Sequence, residues 1–227
     1  MKESDMYEPI RNILSAQGFI VRGEVKGCDI AAINGDVLWI VEMKLSANIT
    51  LIYQAMERQK ATNYVFVAIP RPKKKRGDFS SLQSLLKKLG IGLITVALDS
   101  AARQAEIILF PKDGKKQTKK TDAIKKEIFG RTTDSIGGTT KTAINTAYRE
   151  RCVRIACLIE AKGEMSAKTL VQLGCEKDAY SIISTNFYGW FKKIAKGTYD
   201  ITDVCRNYLS DNESVTLITY YRMKASE

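Results

Sequence analysis

Three charged residues in the N-terminal part of the chain have the types and spacing that hydrolysis of a phosphate ester needs. Glu42 and Lys44 lie two residues apart in the segment 37–44, which is rich in valine, isoleucine and tryptophan and predicts a β-strand. Because successive side chains of a strand point to opposite faces, Glu42 and Lys44 share one face. The other face is apolar throughout, and its burial would fix the register of the strand: Val37, Trp39, Val41 and Met43.

Asp29 is expected to join this pair from the preceding strand. Asn34-Gly35 is a strong signal for a tight turn between two antiparallel strands. The turn brings Asp29 within about two residues of Glu42 across the pair, so that the two side chains lie roughly 5–8 Å apart. A single divalent ion can bridge carboxylates at that separation.

The chemistry that these residue types favour is metal-assisted hydrolysis. Asp29, Glu42 and a backbone carbonyl such as that of Met43 offer the hard oxygen ligands that Mg²⁺ or Mn²⁺ prefers. Lys44 would orient the attacking water and stabilise negative oxygens in the transition state, and Glu8 on the first helix could reach the site as an outer carboxylate. The chain contains no histidine, which excludes Ser-His-Asp hydrolases and histidine-metal nucleases. An isolated E-x-K on a strand is usually a surface ion pair, so the hypothesis depends on the complete arrangement.

The elements around these residues predict an α/β fold with a mixed sheet flanked by helices. Helical connections imply parallel pairing in the later strands, beside an antiparallel opening. The predicted helices are 5–17, 50–60 and 79–89, and the predicted strands are 19–25, 28–33, 37–44, 64–69, 92–98 and 107–110. We therefore expect a catalytic domain over residues 1–111.

The rest of the chain predicts a basic linker followed by a second domain. Residues 112–142 are rich in lysine, threonine and glycine, with one short helix. From 143 to 227 we expect three helices (148–161, 166–173 and 177–187) and then a hairpin formed by 189–194 and 197–201. Three helices followed by a basic hairpin is the arrangement of a winged helix-turn-helix domain.

The residues that carry the chemistry resemble the PD-(D/E)XK nuclease superfamily, which has the restriction-endonuclease-like fold. The matching segments are Gly27-Cys28-Asp29-Ile30 and, with twelve residues between Asp29 and Glu42, Val41-Glu42-Met43-Lys44. Glu8 is similar to the helix glutamate of Holliday-junction resolvases, and Gln54 is similar to a glutamine that several branches place beside the site. Cys28 stands where the motif has proline, a departure that leaves the metal ligands intact.

Taken whole, the chain resembles a bacterial family of PD-(D/E)XK phosphodiesterases in which a nuclease-like core precedes a C-terminal winged-helix segment. The matching C-terminal segments are Asn186-Phe187-Tyr188-Gly189-Trp190-Phe191 and Lys196-Gly197-Thr198-Tyr199. The resemblance covers about 1–110 and 145–205. It implies a Mg²⁺-dependent endonuclease with Glu8, Asp29, Glu42, Lys44 and Gln54 at its centre.

The charge of the chain predicts DNA as its partner. The net charge is +11, and lysine clusters suit a phosphate backbone because bound phosphates release their counterions. The expected contacts are Lys73, Lys74 and Lys75 in the first domain and Lys192, Lys193 and Lys196 in the hairpin. Trp190 and Tyr199 either pack beneath the hairpin or touch nucleic acid.

The remaining features predict a cytoplasmic protein, and a homodimer is an expectation only from the resemblance, since many nucleases of this fold dimerise. No run of about 18 apolar residues suggests a membrane helix, and the polar N-terminus lacks a secretion signal. Five scattered cysteines, with no C-x-x-C pair, favour core packing over disulfides or zinc. Two other functions fit the sequence: a non-catalytic DNA-binding regulator on a nuclease-like scaffold, and a protein-interaction module. Salt-sensitive DNA binding would distinguish the nuclease and the DNA-binding regulator from the protein-interaction module.

Overall fold

The computed structural model describes residues 1–72, 77–99, 103–112, 118–131, 146–212 and 216–226. The chain divides into two compact units, Met1–Ile144 and Asn145–Glu227. Among the helices of these described ranges, none has the length and apolarity to span a membrane.

The first unit is a mixed six-stranded sheet with helices on both faces, as the sequence predicts. The strands pair in chain order; the central pairs β3–β4 and β4–β5 are parallel and the outer pairs antiparallel. The strands are β1 (Ile20–Val25), β2 (Cys28–Asn34), β3 (Val37–Met43), β4 (Val65–Pro70), β5 (Gly92–Ala97) and β6 (Gln104–Leu109). The helices are a 3₁₀ helix (Glu3–Met6), α1 (Tyr7–Ala16), α2 (Ile49–Arg58), α3 (Gly77–Leu89) and α4 (Lys119–Phe129).

Both faces of β3 are buried, which places Glu42 inside the unit. The face that carries Trp39, Val41 and Met43 packs in the cluster beneath α1, as the alternation predicts. Leu38 and Ile40 share the face of Glu42 and pack in a second cluster, with residues of α2, α3 and α4. Parallel strands with helical connections are covered on both sides, so the face that carries the carboxylates is itself part of the core.

Helix α4 differs from the predicted basic linker over 112–142. Ile124 and Ile128 are buried in the same cluster as the sheet residues. At the helix ends, the Thr121 hydroxyl donates to the Ala61 carbonyl, and Arg131 donates to the carbonyls of Gly23 and Glu24 at 3.0 Å. The two isoleucines one turn apart form an apolar stripe that is sufficient to bury this lysine-rich helix. Residues 118–131 are therefore part of the first unit.

The second unit is helical, with a small three-stranded antiparallel sheet in the order β7–β9–β8. Its three leading helices and its hairpin follow the predicted order, and Ser166 caps α6 by accepting from the Thr169 amide at 3.1 Å. The structure adds the short strand β7 and two helices after the hairpin. The elements are α5 (Ala147–Lys162), β7 (Met165–Ser166), α6 (Ala167–Gln172), α7 (Ala179–Thr185), β8 (Phe191–Ala195), β9 (Thr198–Ile201), α8 (Asp203–Asp211) and α9 (Thr216–Ser226).

One hydrophobic cluster holds the second unit together and decides the positions of two aromatic residues. Trp190 and Tyr199 are both buried in it, so they pack beneath the hairpin rather than on its surface. Helix α9 closes the cluster against α5: Arg222 pairs with Glu160 at 2.8 Å, and the Tyr221 hydroxyl donates to the buried Glu150 at 3.0 Å.

The cysteines are free and buried, as core packing predicts. Cys28 lies in the core of the first unit. The other four lie in the core of the second unit: Cys152, Cys157, Cys175 and Cys205.

Candidate active site

Asp29 and Glu42 lie side by side on neighbouring antiparallel strands. The register places Ile30 opposite Val41, so that Asp29 and Glu42 form the next pair along the ladder. The side chain of Glu42 is almost completely buried, with 2 % exposed. Asp29 is partly buried, and its Oδ2 accepts a hydrogen bond from the Met43 amide at 2.7 Å. The tight turn at Asn34-Gly35 therefore brings the two carboxylates together as the sequence predicts.

Burial makes this carboxylate pair difficult to ionise. Burial and the nearby charge of Asp29 together raise the pKa of Glu42 to about 7. Burial also raises the pKa of Asp29, while the hydrogen bond from the Met43 amide acts in the opposite direction. Two adjacent carboxylates that disfavour each other's charge create a strong local demand for a cation.

Arg58 supplies part of that positive charge, and the sequence interpretation missed it. Its Nε lies 2.6 Å from Oε1 of Glu42, and its Nη2 donates to the Gly27 carbonyl in the turn before Asp29. A signal for this contact was present in the sequence. Arg58 follows Leu51 and Ala55 at helical spacing, so it lies on the face of α2 that packs against the sheet.

Lys44, just after the end of β3, is paired with an acidic residue that the sequence analysis did not single out. Its Nζ lies 3.4 Å from Oε1 of Glu3, in the 3₁₀ helix that precedes α1. Glu8, the predicted outer carboxylate, is exposed and lies 3.3 Å from Arg11 Nη1. Glu3, five residues earlier in the chain, is the acidic residue that the structure places beside Lys44, and the role of Glu8 at the site stays a prediction.

Gln54 lies one helical turn before Arg58 on α2 and is partly buried. This spacing places it on the same side of the helix as Arg58. Its assignment as a site residue stays a prediction.

The residues present fit a hard divalent cation that keeps part of its water shell. The ligand set would consist of the carboxylates of Asp29 and Glu42 with the Met43 carbonyl. Among the described residues, no group of three or more acidic, cysteine or histidine side chains forms a complete cage. Mg²⁺ is typically held by one or two carboxylates, with waters and substrate phosphates as the remaining ligands. A two-carboxylate set is therefore sufficient for Mg²⁺ or Mn²⁺.

The predicted nucleic-acid contacts fall into two groups. Lys73, Lys74 and Lys75 lie outside the described residues. Lys192, Lys193 and Lys196 are exposed on the hairpin of the second unit, and Nζ of Lys192 lies 3.4 Å from Asp200.

The comparisons with known proteins identify a family. Residues 94–207, about half of the chain, match the family model described as "Putative PD-(D/E)XK phosphodiesterase (DUF2161)". The matched region runs from β5 into α8, so it does not include Asp29, Glu42 or Lys44. No curated protein and no solved structure matches the chain. The mixed six-stranded sheet flanked by helices fits the restriction-endonuclease-like fold of that superfamily, and the chain belongs to this family of PD-(D/E)XK phosphodiesterases.

Proposed function

We propose that this protein is a Mg²⁺-dependent endonuclease that hydrolyses DNA phosphodiesters, with an active site formed by Asp29, Glu42 and Lys44. The observation that carries the proposal is the pairing of Asp29 with the buried Glu42 on adjacent strands, two residues before Lys44, which directly follows β3. A buried pair of like charges is costly unless a cation offsets it. Membership of a phosphodiesterase family supports the reaction class.

Each residue has a role that follows from its position. Asp29 and Glu42 would hold the metal with the Met43 carbonyl, and the Met43 amide fixes one oxygen of Asp29 so that the other is available. When bound, the ion supplies Lewis acidity and lowers the pKa of a coordinated water. The Lys44 ammonium, held by Glu3, stabilises the negative oxygens of the scissile phosphate and orients the attacking water.

The second unit is proposed to be a winged-helix domain that engages DNA through its hairpin. Helix α5, strand β7, helices α6 and α7 and the hairpin β8–β9 follow the order that such domains use. The three exposed lysines of the hairpin would contact the phosphate backbone. Their outward positions support this role, since Trp190 and Tyr199 already fill the space beneath the hairpin.

One observation favours the alternative of a non-catalytic DNA-binding regulator. The ion pair with Arg58 already offsets the charge of Glu42, and a carboxylate that is neutralised in this way needs no metal to be stable. The same nuclease-like sheet would then act as a scaffold for binding without cleavage.

Cleavage of labelled DNA distinguishes the two functions. The substrates are linear, nicked, flapped and four-way DNA, each with Mg²⁺, Mn²⁺ or EDTA. The proteins are the wild type and the variants Asp29→Ala, Glu42→Ala and Lys44→Ala. The proposal expects metal-dependent cutting that all three variants lose while they keep their fold and DNA binding.

Two outcomes would contradict the nuclease. Undiminished cutting by Asp29→Ala or Glu42→Ala would show that the products come from another site or from a contaminant. Salt-sensitive binding without cutting on every substrate would favour the regulator. The substrate that is cut fastest would identify the kind of DNA on which the protein acts.

A further inference from the structure

The Glu42–Arg58 ion pair occupies an oxygen that a metal would use. We propose that Arg58 is an internal counter-ion that competes with the divalent metal for Glu42, so that metal binding requires the guanidinium to withdraw from Oε1. This inference rests on the proposed function, because it assumes that Glu42 is a metal ligand. In this proposal Arg58 sets the affinity of the site for the metal, and it has no part in the reaction itself.

The first argument is that Arg58 contacts Glu42 directly. Arg58 Nε and Glu42 Oε1 are 2.6 Å apart, and the side chain of Glu42 is only 2 % exposed. Little water can reach this carboxylate, so the interaction between nearby charges is weakly screened. A dication that approaches Glu42 would meet the guanidinium at close range, and the repulsion between the two would weaken metal binding.

The second argument is that the guanidinium has space to withdraw. A cavity of about 260 Å³ adjoins Arg58, between the turn that precedes β2, the end of α2 and the start of α4. Its lining combines apolar residues such as Cys28, Ala61 and Ile124 with three charged ones, Glu57, Lys26 and Lys120. A guanidinium that leaves Glu42 can therefore move without disturbing the buried cluster.

The third argument is that Arg58 is anchored at a second point. Nη2 donates to the Gly27 carbonyl, in the turn that leads into Asp29. With that anchor retained, rotation of the side chain moves Nε away from Oε1 while the guanidinium stays beside the site. The withdrawal is therefore a local side-chain movement that leaves helix α2 in place.

The test measures Mn²⁺ affinity of the full chain by electron paramagnetic resonance of the free ion, without any substrate. Arg58→Gln removes the competing charge and is expected to bind Mn²⁺ about tenfold more tightly than the wild type. Arg58→Lys keeps a positive charge at the same place and should stay close to the wild type. Lys60→Ala is the matched control. Lys60 lies two residues after the end of α2 and pairs with Glu57 at 2.6 Å, so its removal deletes one charge without touching Glu42 and should change affinity by less than about twofold.

A second readout separates competition from a merely structural role. Without metal, Arg58→Gln should melt at a lower temperature than the wild type, because Glu42 loses its partner. Saturating Mn²⁺ should raise the melting temperature of Arg58→Gln by more than that of the wild type. A variant that was simply damaged would show a lower melting temperature and weaker metal binding together.

The outcomes are distinct. Equal or weaker Mn²⁺ binding by folded Arg58→Gln would overturn the inference and leave the nuclease intact, as would Arg58→Lys binding as tightly as Arg58→Gln. If neither the wild type nor any variant binds Mn²⁺ and none cleaves DNA, the proposed function fails, and the inference fails with it.

Discussion

Glu42 is a carboxylate that the fold holds away from water, and its neighbours act on its charge in opposite directions. Burial and Asp29 raise its pKa, whereas Arg58 favours the ionised form. The sequence predicts the pairing with Asp29 because a tight turn determines which residues face each other across a hairpin. The sequence interpretation missed Arg58 as the partner of Glu42, because that contact depends on how α2 is placed on the sheet.

The raised pKa of Glu42 predicts how the stability of the metal-free protein changes with pH. The pKa in the folded state, about 7, lies above the ordinary value of 4.5, so the folded chain holds this proton more tightly than the unfolded chain. The stabilisation is fully present below pH 4.5 and is lost as the pH rises through 7. Relative to Glu42→Gln, the wild type should lose about 3 kcal/mol at most across this range.

Urea unfolding in EDTA, at several pH values from 5 to 8, measures this difference for both proteins. A difference in unfolding free energy between wild type and Glu42→Gln that is constant with pH would contradict the expectation. The same ionisation predicts that Mn²⁺ binds more tightly as the pH rises through 7, because the metal competes with the proton for Glu42.

Glu3 and Glu8 give a second test at the residue scale. Glu3 holds the Lys44 ammonium, so Glu3→Gln should lower the cleavage rate about tenfold by releasing the lysine from its position. Glu8→Gln, in an exposed pair with Arg11, should leave the rate unchanged. Single-turnover cleavage at saturating metal measures both. A loss with Glu8→Gln but not with Glu3→Gln would restore the assignment made from the resemblance.

At the scale of elements, the first five strands were predictable to within one residue, β6 begins three residues before its predicted start, and one helix was misinterpreted. The strands are dense in β-branched residues and end at turn signals, so their pattern has few other interpretations. Helix α4 carries only two fully apolar residues on its buried side, Ile124 and Ile128, among lysines that resemble a linker. Its place on the sheet depends on how the other elements of the first unit leave room for these two isoleucines in the hydrophobic cluster. No local sequence pattern shows this.

Substitution in α4 tests whether this helix belongs to the first unit. Ile128 is 1 % exposed, so Ile128→Ala should reduce the free energy of unfolding by about 2–5 kcal/mol. The adjacent Phe129 is 64 % exposed, and Phe129→Ala should cost less than about 0.5 kcal/mol. Denaturant unfolding of the two variants gives the comparison. Equal, small effects would show that α4 behaves as the predicted linker.

At the scale of the whole molecule, the chain combines two units with separate hydrophobic cores. The family match begins in the first unit and ends in the second, so the combination is a property of the family model as well as of this chain. The helices and hairpin of the second unit were predictable from glycines, caps and periodicity. Helices α8 and α9 were not assigned from the sequence, because no resemblance extends beyond about residue 205.

The hairpin lysines predict the salt dependence of DNA binding by the full chain. The double variant Lys193→Ala/Lys196→Ala should weaken binding and reduce the slope of log affinity against log salt by about 2, since each phosphate contact contributes about 0.9. The control is Lys162→Ala/Lys168→Ala, which removes two exposed lysines of α5 and α6 and should preserve the slope. An unchanged slope in the hairpin variant would exclude these lysines from the backbone contacts.

The distribution of buried cysteines allows the unfolding of each unit to be followed by thiol labelling. Burial raises the pKa of Cys28 to about 12 and that of Cys175 to about 11, so an alkylating reagent should react with them only when the surrounding core opens. The first unit contains Cys28 as its single cysteine, and the second contains four. In a short pulse of alkylation at increasing denaturant, a mass gain of one label would therefore mark opening of the first unit, and a gain of four would mark opening of the second. Mass spectrometry of the intact chain would thus show whether the two units unfold together or in sequence, without any engineered probe.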